Sequence, residues 1–136
     1  MKKLIPVLLV VIFFSCSKKS DPAPTTSDLL SQHTWVFAAM TSTDATFQAA
    51  GQILIGSEWS FKTDKSLVIS ISISGSTATI TGTWSLSVDG KTITINSSVT
   101  GTTAASEMEI ISITSSALQV KETSSGAVNT YTFNAK

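Results

Sequence analysis

The fold of this chain is decided by residues 67–99, LVISISISGSTATITGTWSLSVDGKTITINSSV. Apolar residues recur at every second position from Leu67 to Ile73, and a similar alternation restarts after the Ser-Gly-Ser at 74–76. A strand with one buried face has this period of two, whereas a helix would scatter the same residues around its axis. The stretch therefore predicts three antiparallel strands joined by two turns.

The turn between the second and third of these strands falls at Asp89-Gly90. This pair is typical of a type I′ hairpin, in which both central residues take positive φ. On the strand before it, Trp84 shares a face with Ile80 and Leu86. Because that face carries the apolar residues, we expect Trp84 to lie in the core.

Further strands are predicted on both sides of this meander. They cover residues 35–41, 57–62, 107–114, 117–123 and 127–134. Ser27–Gln32 predicts one helical turn, with Ser27 or Asp28 as its N-cap. The chain is therefore predicted to be all-β, an eight-stranded antiparallel up-and-down barrel, because closure removes both sheet edges. A two-sheet sandwich is the alternative, although it usually needs longer connections.

Two connections are longer than the rest, residues 43–56 and 99–106. Alternating strand directions place both at the end of the barrel opposite the N terminus, and this end is the predicted mouth. The first connection has no clean period, yet it carries apolar residues that a loop seldom exposes without a function. Phe47, Ile53 and Ile55, with Trp59 below them, are therefore candidate contacts for a small apolar ligand. The alternative is that they only plug the barrel.

The N terminus has the order of a secretory signal. A basic Met1–Lys3 precedes the apolar residues 4–14, and Ser15-Cys16 follows. The apolar run is shorter than the ~20 residues of a membrane-spanning helix. A small residue before the only Cys resembles the lipobox of bacterial lipoproteins. The resemblance implies that Cys16 is acylated and becomes the first mature residue. A plain secretory signal with an incidental Cys is the alternative.

These features predict three segments in the chain. Residues 1–15 are a lipoprotein signal peptide, 16–26 a flexible polar tether, and 27–136 a single barrel domain. The protein is expected to be exported, anchored in the outer membrane by its lipid, and monomeric. The leaflet and the face of the membrane stay open.

Several short motifs support a resemblance to a known family. The helical turn Leu29-Leu30 leads into Trp35, and Gly82–Leu86 (GTWSL) is followed by Asp89–Lys91 (DGK). Together they resemble the lipocalin-like domain of small bacterial lipoproteins, over roughly residues 27–134. The resemblance implies a barrel that holds a small apolar ligand, and it carries no catalytic residues over.

The composition argues against other functions. The chain has no Arg, which makes nucleic acid an unfavourable partner. The only His, His33, has no evident catalytic partner and is interpreted as a packing or surface residue. Glu107 and Glu109 share a strand face and are either an acid pair, metal ligands or a solvated outer face. The apolar Met108 and Ile110 between and after them favour the outer face.

The sequence therefore predicts no enzyme, no catalytic residue, no metal and no cofactor. Two functions remain. One is a binding protein that takes a small apolar molecule at the barrel mouth. The other is a structural or interaction protein whose barrel is filled by side chains and whose loops contact a protein or glycan. An eight-stranded barrel is wide enough either to be filled or to hold one small ligand.

Overall fold

The structure is a computed structural model that describes residues 22–99 and 102–136 of the chain. The predicted signal peptide, the acylation site at Cys16 and the first part of the tether lie outside the described residues. Their assignments stay predictions.

The barrel consists of eight strands and two short helices. In chain order they are α1 (Thr26–Gln32), β1 (Thr34–Ser42), α2 (Ala45–Gln52), β2 (Glu58–Phe61), β3 (Ser66–Ile73), β4 (Ser76–Leu86), β5 (Thr92–Val99), β6 (Thr102–Ile113), β7 (Ala117–Ser124) and β8 (Ala127–Ala135). Every strand pairs antiparallel with its sequence neighbours, and β8 pairs with β1. This last pairing closes the sheet, so the predicted barrel is confirmed and the sandwich is excluded.

An irregularity in β1 lets the side chains on both sides of it, Phe37 and Met40, point into the barrel. The register of β1 against β8 shifts between Phe37 and Ala39, as a β-bulge does. Without it, Phe37 and Met40 would lie on opposite faces, because they are an odd number of residues apart. With it, both side chains are buried in the same core.

One end of the barrel is sealed, and we call it the closed end. Its interior holds large apolar side chains, namely Trp35, Phe37, Phe61, Leu67, Trp84, Ile93, Leu118 and Phe133. Helix α1 lies under them, with Leu30 fully buried. Trp35 Nε1 donates to the Leu30 carbonyl at 3.0 Å, and Trp84 Nε1 donates to the Lys62 carbonyl at 2.9 Å. Both indole N–H groups are therefore satisfied where burial would make an unpaired donor costly.

The cap of α1 differs from the prediction. Thr25, rather than Ser27 or Asp28, is the N-cap, and Asp28 is the third residue of a capping box. Thr25 Oγ1 accepts from the Asp28 N–H at 3.2 Å, while the Asp28 carboxylate accepts from the Thr25 N–H at 2.9 Å. Among the described residues, every buried core residue lies between Leu30 and Phe133. We therefore expect residues 22–136 to fold as an independent domain.

The hairpin turn predicted at Asp89-Gly90 is confirmed, but its predicted type I′ geometry is wrong. Only Gly90 has positive φ there, at 69°. The Asp89 carboxylate accepts from Ser87 Oγ at 2.6 Å and from the Lys91 N–H at 3.2 Å, which stabilises a wider loop. Two other hairpins instead have positive φ at both central residues, Ser74-Gly75 and Ser125-Gly126.

The prediction that residues 43–56 and 99–106 are long connections was also partly wrong. Residues 99–106 are mostly strand, because β5 extends to Val99 and β6 begins at Thr102, its register partner. Residues 43–56 contain helix α2. Its N-cap is Asp44, whose carboxylate accepts from the Thr46 N–H at 2.8 Å and the Phe47 N–H at 3.2 Å. The end that carries α2 is the one predicted to be the mouth, and we call it the mouth end.

Candidate functional site

Helix α2 lies against the mouth end of β1, where β1 no longer pairs with β2. The β1–β2 pairing ends near Phe37, which exchanges hydrogen bonds of 2.8 Å with Gly56 and Ser57. Beyond that point, one α2 side chain takes the place of a strand. Gln48 Nε2 donates to the Met40 carbonyl and Gln48 Oε1 accepts from the Ser42 N–H, each at 2.8 Å. The edge of β1 is thereby satisfied, as buried backbone groups require.

The inner face of α2 packs directly on a core side chain. Gly51 is buried, and a Cβ at this position would collide with the Met40 side chain. Phe47 and Leu54 are half-buried and pack against the core cluster. The spacing of Phe47, Gly51 and Leu54 puts them on one helical face. Because Met40 points into the barrel, this packing places α2 across part of the mouth.

The structure brings together only some of the residues predicted to contact a ligand. Phe47 and Trp59 both pack against the core cluster. Ile53 and Ile55 are 60% and 46% exposed, and Leu54 takes the inward position between them. The reason is that α2 and the turn after it follow helical geometry, whereas the prediction assumed an irregular loop. A role for any of these residues in ligand binding stays a prediction.

Two walls of different chemistry face each other inside the mouth half of the barrel. The apolar wall consists of inward residues of β3, β4 and β5: Ile69, Ile71, Ile80 and Ile95. The polar wall consists of inward residues of β6, β7 and β8: Ser106, Glu122, Asn129 and Tyr131. Sequence analysis missed the polar wall, although period two could have found it. Glu122 lies two residues after Val120, and Asn129 two before Tyr131.

Glu122 is the centre of the polar wall. Its two carboxylate oxygens accept one hydrogen bond each, from Ser106 Oγ and from the Tyr131 hydroxyl, both at 2.7 Å. Burial, and next the hydrogen bond to Glu122 and its charge, raise the pKa of Tyr131 far above its usual value of 10.0. Tyr131 is therefore a neutral donor to Glu122 over the whole physiological pH range.

Asn129 is the exception on this wall. It is 1% exposed and lies on the inward face of β8, with Ser42 and Glu122 as its register neighbours. Its amide is near enough to the Tyr131 hydroxyl to lower the pKa of that group slightly, against the larger raising effects, but by distance and angle neither its Nδ2 nor its Oδ1 forms a hydrogen bond with the described residues. An unpaired buried amide typically costs ~1–3 kcal/mol, so a native protein is expected to have a reason for retaining one.

The outer surface has an open groove of about 470 Å³ across β5, β6 and β7. Charged and hydroxyl side chains line it: Asp89, Lys91, Thr92, Glu107, Glu109, Lys121 and Thr123. Glu107 and Glu109 therefore lie on the outer face, and Glu109 forms a 2.8 Å ion pair with Lys121. Within residues 22–99 and 102–136, no group of three or more His, Cys, Asp or Glu residues could hold a metal.

His33 ends α1 and lies edge-on to Trp35, with ring centroids 5.8 Å apart. The contact gives it a packing role at the closed end. In the same described part of the chain, neither helix is long and apolar enough to cross a membrane.

Comparison with known proteins shows the fold. No protein-family model and no curated protein matches this chain. Among solved structures, the odorant-binding protein from bovine nasal mucosa is 16% identical, with a TM-score of 0.50 over 86% of this chain and 77% of that one. A complex of bovine odorant-binding protein with undecanal is 16% identical, with a TM-score of 0.49 over 79% of this chain and 73% of the other. The first of these, a lipocalin, shares the fold of this chain, an eight-stranded antiparallel barrel.

Proposed function

We propose that this chain is an anchored binding protein that takes a small, largely apolar molecule into the mouth half of its barrel. The difference between the two halves of the interior carries the proposal. Aromatic and branched side chains fill the closed end. The mouth half instead combines isoleucines with small and polar residues, and one buried amide there is unpaired among the described residues. A concave, mostly apolar site with a few convergent polar groups is the usual form of a small-molecule site.

Helix α2 is proposed to be the lid of this site. It contacts the interior through Phe47, Gly51 and Leu54, and Gln48 joins it to the edge of β1. These contacts come from one short helix rather than from a strand ladder, so α2 can move without opening the barrel. A ligand would enter when Phe47 and Leu54 withdraw.

A second candidate is an interaction protein whose barrel is filled and whose mouth rim meets a protein or glycan. Exposed apolar residues at this end favour it, because Ile53, Ile55 and Ile73 are 60%, 46% and 49% exposed. Under this alternative, α2 is a plug and Phe47 is simply part of the core.

A titration of residues 22–136 with the neutral apolar fluorophore N-phenyl-1-naphthylamine separates lid from plug. The lid predicts saturable binding that Phe47→Asp weakens with little loss of stability. Ala49→Asp, which adds the same charge on the exposed face of α2, is the matched control and should bind normally. No binding by the parent, together with a large stability loss in Phe47→Asp, would establish the plug.

The membrane anchor is a separate part of the proposal. The sequence order of basic head, apolar run and Ser15-Cys16 supports acylation of Cys16, export and residence in the outer membrane. Two or three acyl chains would anchor the protein stably, because each buried methylene contributes ~0.8 kcal/mol. Cys16→Ala should give an uncleaved precursor that takes up no labelled fatty acid. Normal processing and labelling of this variant would contradict the anchor and leave the binding proposal intact.

The proposed activity is binding rather than catalysis. Its supports are the packing of His33 against Trp35 and the outward position of Glu107 and Glu109. The inward carboxylate, Glu122, accepts hydrogen bonds from two hydroxyls. These positions and contacts support structural roles for His33, Glu109 and Glu122.

A further inference from the structure

We infer that the ligand carries an uncharged head group with both a hydrogen-bond donor and an acceptor, such as a primary amide or an alcohol, and that this head binds Asn129. The inference rests on the proposed binding function. It adds the chemical class of the ligand and its orientation in the barrel.

The requirement for both a donor and an acceptor comes from Asn129 itself. Its carboxamide has an Nδ2 that donates and an Oδ1 that accepts, and both are unpaired among the described residues. Asn129 is buried on the inward face of β8, so its partner must come from the interior. A ligand amide pairs with both atoms at once, and a hydroxyl can donate to one and accept from the other. A buried polar group of this kind discriminates strongly against a molecule that leaves it unpaired.

The neighbouring Glu122 argues against an anionic head. Glu122 is the register neighbour of Asn129 on β7, and its two hydrogen bonds come from neutral hydroxyls. The nearest Lys in sequence, Lys121, pairs with Glu109 on the outer face and cannot neutralise a buried anion. A ligand carboxylate beside Asn129 would therefore lie next to a like charge with no cation on the polar wall.

A cationic head fits Asn129 poorly as well. Glu122 would attract a cation, and each of its oxygens can accept a second hydrogen bond, but an ammonium group has no acceptor for the Asn129 Nδ2–H. Desolvation of the ammonium group beside Asn129, which is buried, would also be costly. The uncharged head is the one that satisfies Asn129 without displacing the Glu122 hydrogen bonds.

The orientation follows from the wall across the barrel. Ile69, Ile71, Ile80 and Ile95 form the apolar wall, whereas Asn129 lies on the polar wall. A ligand with its head on Asn129 can place its tail along the isoleucines and under Phe47. The head is then buried and the tail is nearer to α2.

The test is a competition series with one chain length. N-phenyl-1-naphthylamine is displaced from residues 22–136 by decan-1-ol, decanamide, methyl decanoate, decanoate and decylamine, at a pH where decanoate is ionised. The alcohol and the amide should bind roughly tenfold more tightly than the methyl ester, which has an acceptor but no donor. Decanoate and decylamine should bind more weakly than the alcohol and the amide.

Variants assign the preference to specific residues. Asn129→Leu should abolish the advantage of the alcohol and the amide over the ester while leaving ester binding unchanged. Asn134→Leu, on the exposed face of the same strand, is the matched control and should keep the advantage. Glu122→Gln removes the charge and should raise decanoate affinity specifically. It also tests the charge argument if Asn129→Leu does not fold.

The outcomes distinguish this inference from the binding proposal. Absence of saturable fluorophore binding would overturn the binding function, and the inference with it. Saturable binding with equal displacement by all five compounds, or with preference for a charged one, would overturn the head-group inference alone. Unchanged selectivity in a folded Asn129→Leu would also overturn it, because the preference for the alcohol and the amide would then come from another residue.

Discussion

The interiors of the two ends of this barrel are filled by different kinds of side chain. At the closed end, α1 and a cluster of aromatic side chains leave every indole N–H bonded, as the contacts of Trp35 and Trp84 show. At the mouth end, α2 covers isoleucines, a carboxylate and an amide whose polar atoms are unpaired among the described residues. Stability is therefore concentrated at one end, and the other retains groups that cost stability.

The largest expected effect is at the closed end. Trp84→Ala should lower the free energy of unfolding by ~3–5 kcal/mol, as aromatic truncation in a core does. Trp84 is buried, packs edge-on to Phe61 at 5.6 Å and donates to Lys62. Denaturant melts of Trp84→Ala beside Trp59→Ala, at a half-buried position, measure the contrast. A loss under ~1 kcal/mol for Trp84→Ala would show that this face of β4 is not in the core.

An intermediate effect is expected where α2 meets the barrel. Gly51→Ala should cost ~1–3 kcal/mol, because the added methyl collides with Met40 and a packed core resists overfilling. Met40→Ala makes room for it, so Gly51→Ala should cost much less in that background. A double-mutant cycle from four urea melts gives the coupling between the two sites. Simple additivity would mean that α2 does not pack on Met40.

The smallest effect is a dependence of stability on pH that differs between the two ends. The pKa of Tyr131 is raised in the folded protein, so its contribution is fully present below about pH 10 and is lost at higher pH. Unfolding midpoints should fall more steeply in alkali for the parent than for Tyr131→Phe. Because Tyr131 is the only Tyr, the ultraviolet absorbance of tyrosinate reports its ionisation directly. Titration near the usual pKa in the folded protein would contradict the hydrogen bond to Glu122.

The stability of the closed end should instead depend on pH in acid. Hydrogen bonds from Thr25, Ser66 and Ser87 hold the pKa values of Asp28, Asp64 and Asp89 below the usual 3.8. Depressed pKa values stabilise the folded state above the unfolded value, and this support is lost as the pH falls through the folded pKa. Asn substitutions at these exposed positions should flatten the acid limb of the stability profile. An unchanged acid limb would show that the caps and turns do not depend on the charge.

The alternation of residues 67–99 predicted the three central strands, because it follows directly from which face of a strand is buried, and the five further strands and the removal of sheet edges predicted the barrel. The alternation failed where the interior is not apolar. Residues 99–106 look like a loop because the inward positions of β6 carry Ala104 and Ser106 instead of large apolar residues. Helix α2 was missed because so short a helix is held by its contacts with Met40 and β1 rather than by its own sequence. The polar wall could have been predicted from the alternation of β7 and β8, but the hydrogen bonds within it could not, because they depend on the register of the strands.

The hydrogen bond from the Ser42 N–H to Gln48 Oε1 gives a way to detect opening of the proposed lid α2 in the protein alone. The Ser42 amide donates to a side chain of α2, while the neighbouring strand amides of β1 donate within the ladder with β8. In native-state hydrogen exchange, the exchange rate of an amide is set by the free energy of the most accessible opening that exposes it to solvent. Ser42 should therefore exchange whenever α2 lifts, long before the barrel unfolds. When reclosing is faster than exchange, the reciprocal of its protection factor is the equilibrium constant for the opening of α2, and a much larger protection factor at a closed-end amide would show that this opening is local.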